Sequence, residues 1–271
     1  MGGVSVPCQQ LATILKGRVS TIVTPGTCTV TNIRTFKMTI RGRPTTDGLN
    51  NIFYMQNNNL NMGFLSLLPR EVTRTVNQLL QQGITVTGIN PFSIFARPNI
   101  ITVYFQSVEP AIRFAGKMRR VLNTLTNLAP DLPQPPPTPA FRRLCEEFSR
   151  IIGGNQVTDI IGSSCEVLIL RDLVFRVMGK LATNPGVRFL NFSFDQLDAQ
   201  GRSLCIGEVA LLRREVTPYL KQISNQPGVT ISPLVSPKFT IPALVILKYS
   251  AVENPLTFAR TSREAISVLS R

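Results

Sequence analysis

The fold is decided by one stretch that occurs twice in the chain, as MGFLSLLPREVT at residues 62–73 and as IGEVALLRREVT at residues 206–217. In each copy an apolar run of strand length leads directly into a helix start. Glu71 and Glu215 fall in the first turns of these helices, where a carboxylate complements the helix macrodipole. A strand-to-helix unit that recurs in this form indicates an internal duplication.

Further ordered matches extend the duplication over nearly the whole chain. CQQLATILKG, starting at Cys8, matches CEEFSRIIGG, starting at Cys145. Downstream, QGITVTGI matches PGVTISPL, and SVEPAIRFAGKMRR matches AVENPLTFARTSRE. The predicted domains are a first α+β repeat at residues 1–128, a proline-rich linker at 129–140 and a second α+β repeat at 141–271.

Each copy has the pattern of antiparallel strands combined with a few helices. Phe36, Met38 and Ile40 alternate with polar residues, so this strand has one apolar and one polar face. Pro69 starts a helix that Gly83 ends. These features predict an α+β fold, in which two tandem antiparallel-sheet modules carry helices packed on the sheet and are related by a pseudo-two-fold axis.

The linker has the composition of an extended spacer. Residues 129–139 read APDLPQPPPTP, and this proline density disfavours both a helix and a hydrogen-bonded strand. We therefore predict a semi-rigid spacer. A PxxP ligand for an aromatic-lined groove is the alternative.

The composition excludes several kinds of active site. The 271 residues include no His, which excludes His-based metal sites and Ser–His or Cys–His nucleophiles. The chain contains no GxGxxG or Walker A motif, and no CxxC pair indicates zinc. We predict no catalytic residue, no metal and no cofactor, and the balance leans against an enzyme.

The formal charge of +14 favours an anionic polymer, above all nucleic acid, as a partner. Two basic faces of copy one are candidates for that surface, one on a strand and one on the last helix. They consist of Lys37, Arg41 and Arg43, and of Arg113, Lys117 and Arg120. No aromatic stacking pattern lies beside them, so solvated basic surface is the favoured interpretation of these residues. Specific binding of an anionic polymer and subunit pairing through acidic patches are the alternatives.

Four of the five cysteines form a repeated pair, Cys8 with Cys28 and Cys145 with Cys165. Buried thiols that pack in the core are the favoured interpretation. One disulfide per module is the alternative in an oxidising compartment, and metal binding or catalysis is the least favoured reading.

The amino terminus, MGGVSVPCQQLATILKG, lacks the basic start, apolar core and cleavage site of a secretory signal. No apolar run reaches the length of a membrane span. These features predict synthesis in the cytoplasm without a membrane span. Later deposition on a cell or spore surface is a further hypothesis.

One ordered pattern in copy one resembles the LppY/LpqO-like family of uncharacterised proteins. The pattern is MGxLxLLxxEVxxxxxxLxxxGIxVTxI, a proline-containing turn and then PNIITVYFQSVEP. The likeness covers nearly the whole chain and is weaker in copy two. Members of that family carry a His-Asn-His cluster after the GIxVTxL strand and a further His in the next strand, a set suited to a metal or to acid–base chemistry.

The chain departs from the family at these positions. In copy one the His-Asn-His positions read Asn90, Pro91 and Phe92, and the later His position reads Tyr104. In copy two the corresponding positions read Val235, Ser236 and Pro237, and then Lys248. The resemblance therefore implies a retained scaffold whose site has been emptied. What it leaves is a residual apolar or hydrogen-bonding pocket at Asn90, Phe92, Tyr104 and Lys248.

Three functions are compatible with these features. The first is a non-enzymatic structural or interaction protein that associates with itself, such as a self-assembling coat, filament or surface component. The second is binding of an anionic polymer. The third is a degenerate enzyme or a small-ligand-binding protein.

Overall fold

A computed structural model of the chain describes residues 7–21, 24–153 and 157–269. Residues 1–6, which belong to the amino terminus predicted to lack a secretory signal, lie outside the described residues. In chain order the first module consists of α1 (Cys8–Ile14), β1 (Arg18–Val19), β2 (Thr27–Arg34), β3 (Met38–Ile40), β4 (Arg43–Thr45), β5 (Asn50–Gln56), β6 (Leu60–Leu67), α2 (Pro69–Gln81), β7 (Thr85–Pro91), β8 (Ala96–Arg97), β9 (Ile101–Val108), α3 (Ala111–Leu122) and β10 (Leu128–Ala129).

The second module repeats this order, with a short 3₁₀ turn at Pro185–Val187. It consists of α4 (Pro139–Ile152), β11 (Val157–Ile161), β12 (Ser164–Leu170), β13 (Phe175–Val177), β14 (Lys180–Ala182), β15 (Phe189–Phe194), β16 (Ser203–Leu212), α5 (Arg213–Ser224), β17 (Thr230–Val235), β18 (Thr240–Ile241), β19 (Leu244–Glu253) and α6 (Pro255–Ile266).

Each module has one main antiparallel sheet. The strand order is β1-β2-β5-β6-β9-β7 in the first module, with β10 also paired to β2, and β11-β12-β15-β16-β19-β17 in the second. Gly63 lies opposite Phe105 in the first sheet, and Gly207 lies opposite Tyr249 in the second. Because topology and register both recur, the prediction of two similar antiparallel α+β modules is confirmed.

The helices of each module cover one face of its own sheet. Leu11, Phe105 and Phe114 belong to the core of the first module, and Phe148 and Phe258 belong to the core of the second. All five are excluded from water. Burial of a large apolar side chain contributes roughly 1.5–3 kcal/mol, so each module has its own source of stability.

A disulfide joins the first helix of each module to the strand beneath it. Cys8 is bonded to Cys28, and Cys145 is bonded to Cys165, with Cα–Cα distances of 5.4 and 5.7 Å. Cys205 is a buried free thiol. The structure therefore has disulfides at the four positions for which packing thiols were the favoured interpretation, because the repeated spacing brings a cysteine of the helix next to one of the strand.

A buried ion pair connects the sheet to the second helix of the first module. Arg34, at the end of β2, donates to Glu71 at 2.9 and 2.7 Å and to the Ser66 carbonyl oxygen at 2.8 Å. Glu71 also accepts from the Leu68 backbone N–H at 2.8 Å. Burial alone would raise the pKa of Glu71, but the hydrogen bonds from Arg34 and Leu68 lower it below its ordinary value.

The second module contains the same pair. Arg171 donates to Glu215 at 2.8 and 2.6 Å, and both side chains are almost fully buried. The glutamates in the first turns of α2 and α5 therefore do more than complement a helix dipole. Each one holds its helix to the strand that carries the arginine.

We expect Glu71→Gln to lower the free energy of unfolding by about 3–5 kcal/mol, because Arg34 would keep its charge in a buried site without a carboxylate. Urea unfolding followed by circular dichroism measures the loss. Glu147→Gln is the matched control: Glu147 pairs with Arg150 at the surface, at 3.5 Å, and its loss is expected to cost less than about 1 kcal/mol. Equal losses in the two variants would contradict the prediction.

The modules pack through the sheet faces that carry no helix, and each extends a three-stranded arm over the other. We name these sheets arm 1 (β4-β3-β8) and arm 2 (β14-β13-β18). Met38 and Ile40 of arm 1 belong to an apolar cluster with Ile206 of the second module. Phe175 of arm 2 belongs to a cluster with Met62 of the first module. This reciprocal contact has the predicted pseudo-two-fold character.

Side-chain amides of the first module fix arm 2 in place. Gln56 donates from Nε2 to the Thr183 hydroxyl at 3.0 Å and accepts from Asn184 Nδ2 at 2.6 Å. Asn58 donates to the Leu181 carbonyl oxygen at 2.7 Å. The two modules are therefore joined by specific hydrogen bonds as well as by apolar packing.

The linker lies along the protein. Asp131 pairs with Arg18 at 3.1 Å, and Leu132 packs against the apolar cluster beneath arm 1. Gln134 approaches Gly162 so closely that an added Cβ would lie 2.9 Å from its Oε1. The segment has the extended form expected of its composition, but it covers the junction of the modules and does not hold them apart.

Candidate functional site

A cavity of about 190 Å³ lies between the two sheets. Its wall contains side chains from both modules, because the helix-free sheet faces meet there. The polar and ionisable groups of this wall include Thr29, Thr31, Asp47, Asn50, Tyr54 and Tyr104 of the first module, and Glu166, Asn191, Ser193, Glu208 and Lys238 of the second.

Strand alternation explains how polar side chains reach the middle of the protein. On β12, Cys165 and Val167 face the helices and belong to the core of the second module. Ser164, Glu166 and Leu168 have the opposite parity and line the cavity. The more polar face of β12 is thus turned towards the other module and away from solvent.

Two carboxyl groups of the wall are bound by neutral donors. Asp47 accepts from the Ser193 hydroxyl at 2.9 Å, and Glu166 accepts from Asn191 Nδ2 at 2.7 Å. Burial and then the nearby charge of Asp47 raise the pKa of Glu166 to about 7. Burial also raises the pKa of Asp47, against the opposing effect of Lys248. The cavity therefore contains a carboxyl group that titrates near neutral pH although the chain has no His.

An ion pair stands next to these carboxyl groups. Lys248 Nζ lies 3.2 Å from Glu208 and 3.4 Å from the centroid of the Phe92 ring. The Phe92 ring packs on Gly48, where an added Cβ would lie 2.5 Å from it and where φ is +92°. Burial lowers the pKa of Lys248. Phe92 thus covers an ammonium group that Glu208 holds at the edge of the cavity.

A second lysine lies among aromatic rings. Lys238 Nζ donates to the Gly186 carbonyl oxygen and lies 5.4 and 5.3 Å from the ring centroids of Tyr104 and Phe189. Burial lowers the pKa of Lys238 to about 8. This end of the cavity therefore combines a cation with the π faces that stabilise it.

The residues predicted for a residual pocket are distributed differently. Tyr104 lines the cavity, Phe92 and Lys248 contact each other beside it, and Asn90 lies on the edge strand β7 outside the wall. The contacts cross from one module to the other, since Phe92 meets Lys248 and Lys238 meets Tyr104. Comparing the two copies aligns equivalent positions, and it cannot show which residues of one module contact residues of the other.

The sequence analysis missed the acidic residues of the wall. A signal for them is present in the repeat itself, because the two copies differ in charge at strand positions of the same parity. Glu166 has the place in β12 that Thr29 has in β2, and Glu208 has the place in β16 that Phe64 has in β6. Where one copy has a glutamate and the other has an uncharged residue at the matching strand position, that face of the strand has different surroundings in the two modules.

The basic face predicted on a strand, with Lys37, Arg41 and Arg43, is only partly free in the structure. Arg41 Nη1 donates to the Gly228 carbonyl oxygen at 2.9 Å, and Arg43 pairs with Asp198 at 2.6 Å. Both residues belong to arm 1 and reach the second module, so they bind within the protein. Lys37 remains exposed.

On the last helix of the first module the basic residues have local partners. Lys117 and Arg113 lie 2.8 and 3.6 Å from Glu109, and Arg120 Nε donates to Gln82 at 3.0 Å. Arg113 and Arg120 remain exposed, whereas the pair of Lys117 and Glu109 is largely buried. Binding of an anionic polymer stays a prediction that rests on net charge.

Two further observations limit the kind of site. Across the described residues, no group of three or more Cys, Asp or Glu side chains is arranged to hold a metal ion. The acidic side chains of the cavity are instead spread over its wall. Within residues 7–21, 24–153 and 157–269, no helix is both long enough and apolar enough to cross a membrane.

Fold and site together define a tandem α+β protein whose two modules enclose a polar cavity. A family model described as Domain of Unknown Function (DUF1259) matches residues 9–124 and 146–268, one segment in each module. The chain belongs to this family. A search of curated proteins finds no match.

Among solved structures, a double ringed trimeric shell protein from the RMM microcompartment shows some likeness. It is 13% identical to this chain, with a TM-score of 0.24, over 88% of this chain and 96% of the shell protein. A likeness of this size carries no argument about function or assembly.

We expect the free energy of unfolding to fall as the pH rises towards 7. Burial is the main cause that raises the pKa of Glu166 and of Asp195 to about 7, from ordinary values of 4.5 and 3.8. At pH values between the ordinary and the raised pKa, the folded protein binds more protons than the unfolded chain. The free energy of unfolding therefore falls by up to about 1.4 kcal/mol per pH unit for each group.

Urea unfolding at a series of pH values measures this slope. Glu166→Gln and Asp195→Asn are each expected to flatten it, and Glu147→Gln, at the surface of α4, is expected to leave it unchanged. A slope that is the same in all three variants would show that the two buried carboxyl groups do not cause it.

Proposed function

We propose that this protein binds a small polar molecule in the cavity between its two sheets, as a binding protein without histidine-based chemistry. The observation that supports the proposal is the wall itself, which is polar and ionisable although it lies at the packing interface of the modules. An interface that served packing alone would be expected to be apolar, since buried polar groups are costly unless they are bound.

The size of the cavity sets the size of the ligand. At about 30 Å³ for each water molecule, the volume corresponds to about six waters, or to a ligand of roughly six to ten non-hydrogen atoms. Among the described residues, Thr29 Oγ1 and Asn191 Oδ1 have no hydrogen-bond partner. A buried polar atom without a partner costs about 1–3 kcal/mol, and a ligand that binds it recovers that free energy.

The family relation fits this proposal. We infer that the family is the LppY/LpqO-like one, on the pattern that spans β6, α2 and β9. In that case the positions of its His-Asn-His cluster hold Asn90, Pro91 and Phe92 here, and the Phe92 ring packs on Lys248. A scaffold that keeps its cavity and has aromatic and cationic groups in place of histidines supports binding over metal or acid–base catalysis.

We expect Thr31→Phe to abolish ligand binding, because Thr31 lines the cavity and the phenyl ring would fill part of it. Saturation-transfer NMR with a mixture of small diols, diamines and dicarboxylates measures binding, and the affinity of any bound compound should fall by at least about tenfold. Thr73→Phe, at an exposed position of α2, is the matched control. Unchanged signals in a folded Thr31→Phe protein would contradict the proposal.

Self-association is a second candidate function, and arm 2 supports it. The outer face of this arm exposes Val174, Met178, Leu181, Phe239 and Ile241, with exposed fractions of 44–75%. The equivalent residues of arm 1 are Lys37, Arg41, Pro44, Phe95 and Arg97. Arg176 is also exposed on this face, where it lies opposite Leu181 on one side and Ile241 on the other. A largely apolar sheet face on one arm only is typical of an interaction surface.

If the protein associates with itself, we further propose that it forms a self-assembling coat, filament or surface component. Deposition on a cell or spore surface would follow from that role. Both rest on the exposed face of arm 2.

We expect a change of Val174→Glu together with Ile241→Lys to remove self-association, because both charges would fall on the apolar face of arm 2. Light scattering coupled to size-exclusion chromatography, from micromolar to near-millimolar protein, measures the mass. Lys37→Glu is the control at the position of arm 1 that corresponds to Val174. A strictly monomeric unmodified protein, or an equal loss in the control, would contradict this candidate.

A further inference from the structure

The cavity wall is acidic although the chain is basic. Of the 15 Asp and Glu residues five line it, and of the 29 Lys and Arg residues only two do. These residues are Asp47, Asp131, Asp159, Glu166 and Glu208, and Arg18 and Lys238. The wall thus has a formal charge of −3, against +14 for the whole chain.

Two of the five carboxylates have cationic partners. Asp131 pairs with Arg18 at 3.1 Å, and Glu208 pairs with Lys248 at 3.2 Å. These two pairs are complete in themselves, so a ligand is not needed to neutralise them.

The other three carboxyl groups have neutral partners. Ser193 donates to Asp47, Asn191 donates to Glu166, and Thr21 Oγ1 donates to Asp159 at 3.3 Å. Within the described part of the chain, no Lys or Arg nitrogen lies within 4.0 Å of these three carboxylates. These three carboxyl groups of the wall therefore have no direct ion pair, although Lys248 lies near enough to Asp47 to oppose the effect of burial on its pKa.

The uncharged groups of the wall offer acceptors as well. Asn191 uses its Nδ2 on Glu166, and its Oδ1 has no partner among the described residues. Thr29 Oγ1 is likewise unpartnered in the described structure, on a side chain that is only 7% exposed.

We infer that the cavity selects a small organic cation with ammonium groups, whose N–H donors are bound by Glu166, Asp47 and the free acceptors of Asn191 and Thr29. This inference rests on the proposed function and assigns a ligand class to the same site. An anion of equal size would meet uncompensated carboxylates, and a neutral polyol would leave their charge unpaired. A metal ion would need converging ligands, whereas these acceptors are dispersed.

Binding of such a cation is coupled to release of a proton. Glu166 titrates near neutral pH in the empty cavity, and a cation next to it favours the carboxylate. The charged groups around it are Asp47, Asp159 and Glu208, with Lys238 and Lys248 acting on Glu208. Lys238 loses its proton at higher pH, which removes a positive charge that would repel the bound cation. Glu166 and Lys238 therefore both make the affinity for the cation rise with pH.

Isothermal titration calorimetry with three probes of one chain length tests the inference on the full chain. The probes are butane-1,4-diamine, butane-1,4-diol and butanedioate, each measured below and above neutral pH. We expect the diamine to bind at least about tenfold more tightly than the diol, with higher affinity at the higher pH, and butanedioate to give no binding.

Glu166→Gln removes the charge and keeps the acceptor for Asn191, so it is expected to weaken diamine binding by about tenfold and to reduce the pH dependence. Glu147→Gln, on the outside of α4, is expected to leave both unchanged. If Glu166→Gln does not fold, Asp47→Asn takes its place with the same expectation. Full affinity in a folded variant of either residue would overturn the inference.

The probes separate this inference from the proposed function. Tighter binding of the diol or of butanedioate would overturn the selection of a cation and leave ligand binding in the cavity intact. Binding of none of the three would overturn both.

Discussion

Each sheet of this protein has helices on one face only, and the need to cover the other face determines how the chain is arranged. The second face cannot be left in water, because it carries Tyr54 and Phe64 in one module and Phe189 in the other. The two faces therefore meet, and each module closes the contact with an arm that packs on its neighbour. A cavity lined by polar groups of both modules remains where they meet. The candidate site is thus a consequence of the pairing of the modules and is absent from either module alone.

The duplication allows the two walls of that cavity to differ. Where the copies pack against their own helices, they keep the same interactions, such as the pairs Arg34–Glu71 and Arg171–Glu215. Where they face each other, the first module presents the rings of Phe64 and Tyr104, which pack together, and the second presents the ion pair of Glu208 and Lys248 at the same ladder positions. A symmetric dimer of one module would place identical groups on both sides. A tandem chain has no such restriction, and one wall became aromatic while the other became charged.

This division also explains which features the sequence could predict. Strands, helices and the repeat follow from local periodicity and ordered matches, so the fold was accessible. Arg34 and Arg171 have the same spacing from Cys8 and Cys145, and Glu71 and Glu215 fall at matched places of the repeated strand-to-helix unit, so the sequence could even have indicated the buried ion pairs. The cavity depends on contacts between residues far apart in the chain, such as Phe92 with Lys248 or Asp47 with Ser193. No periodicity encodes these contacts. Parity identified the apolar face of the strand that contains Met38 and Ile40. Whether the other face of a strand meets solvent or another module is decided only by tertiary packing.

The sign of the net charge is a poor guide to the ligand of such a protein. Charges on the outer surface are screened within about 8 Å at physiological salt, whereas the carboxyl groups of the wall act on a bound molecule directly and through a less polarisable medium. A ligand in the cavity is therefore affected mainly by Asp47, Glu166 and their neighbours, even though the chain as a whole is strongly basic. The partner suggested by net charge and the ligand suggested by the cavity therefore have opposite signs.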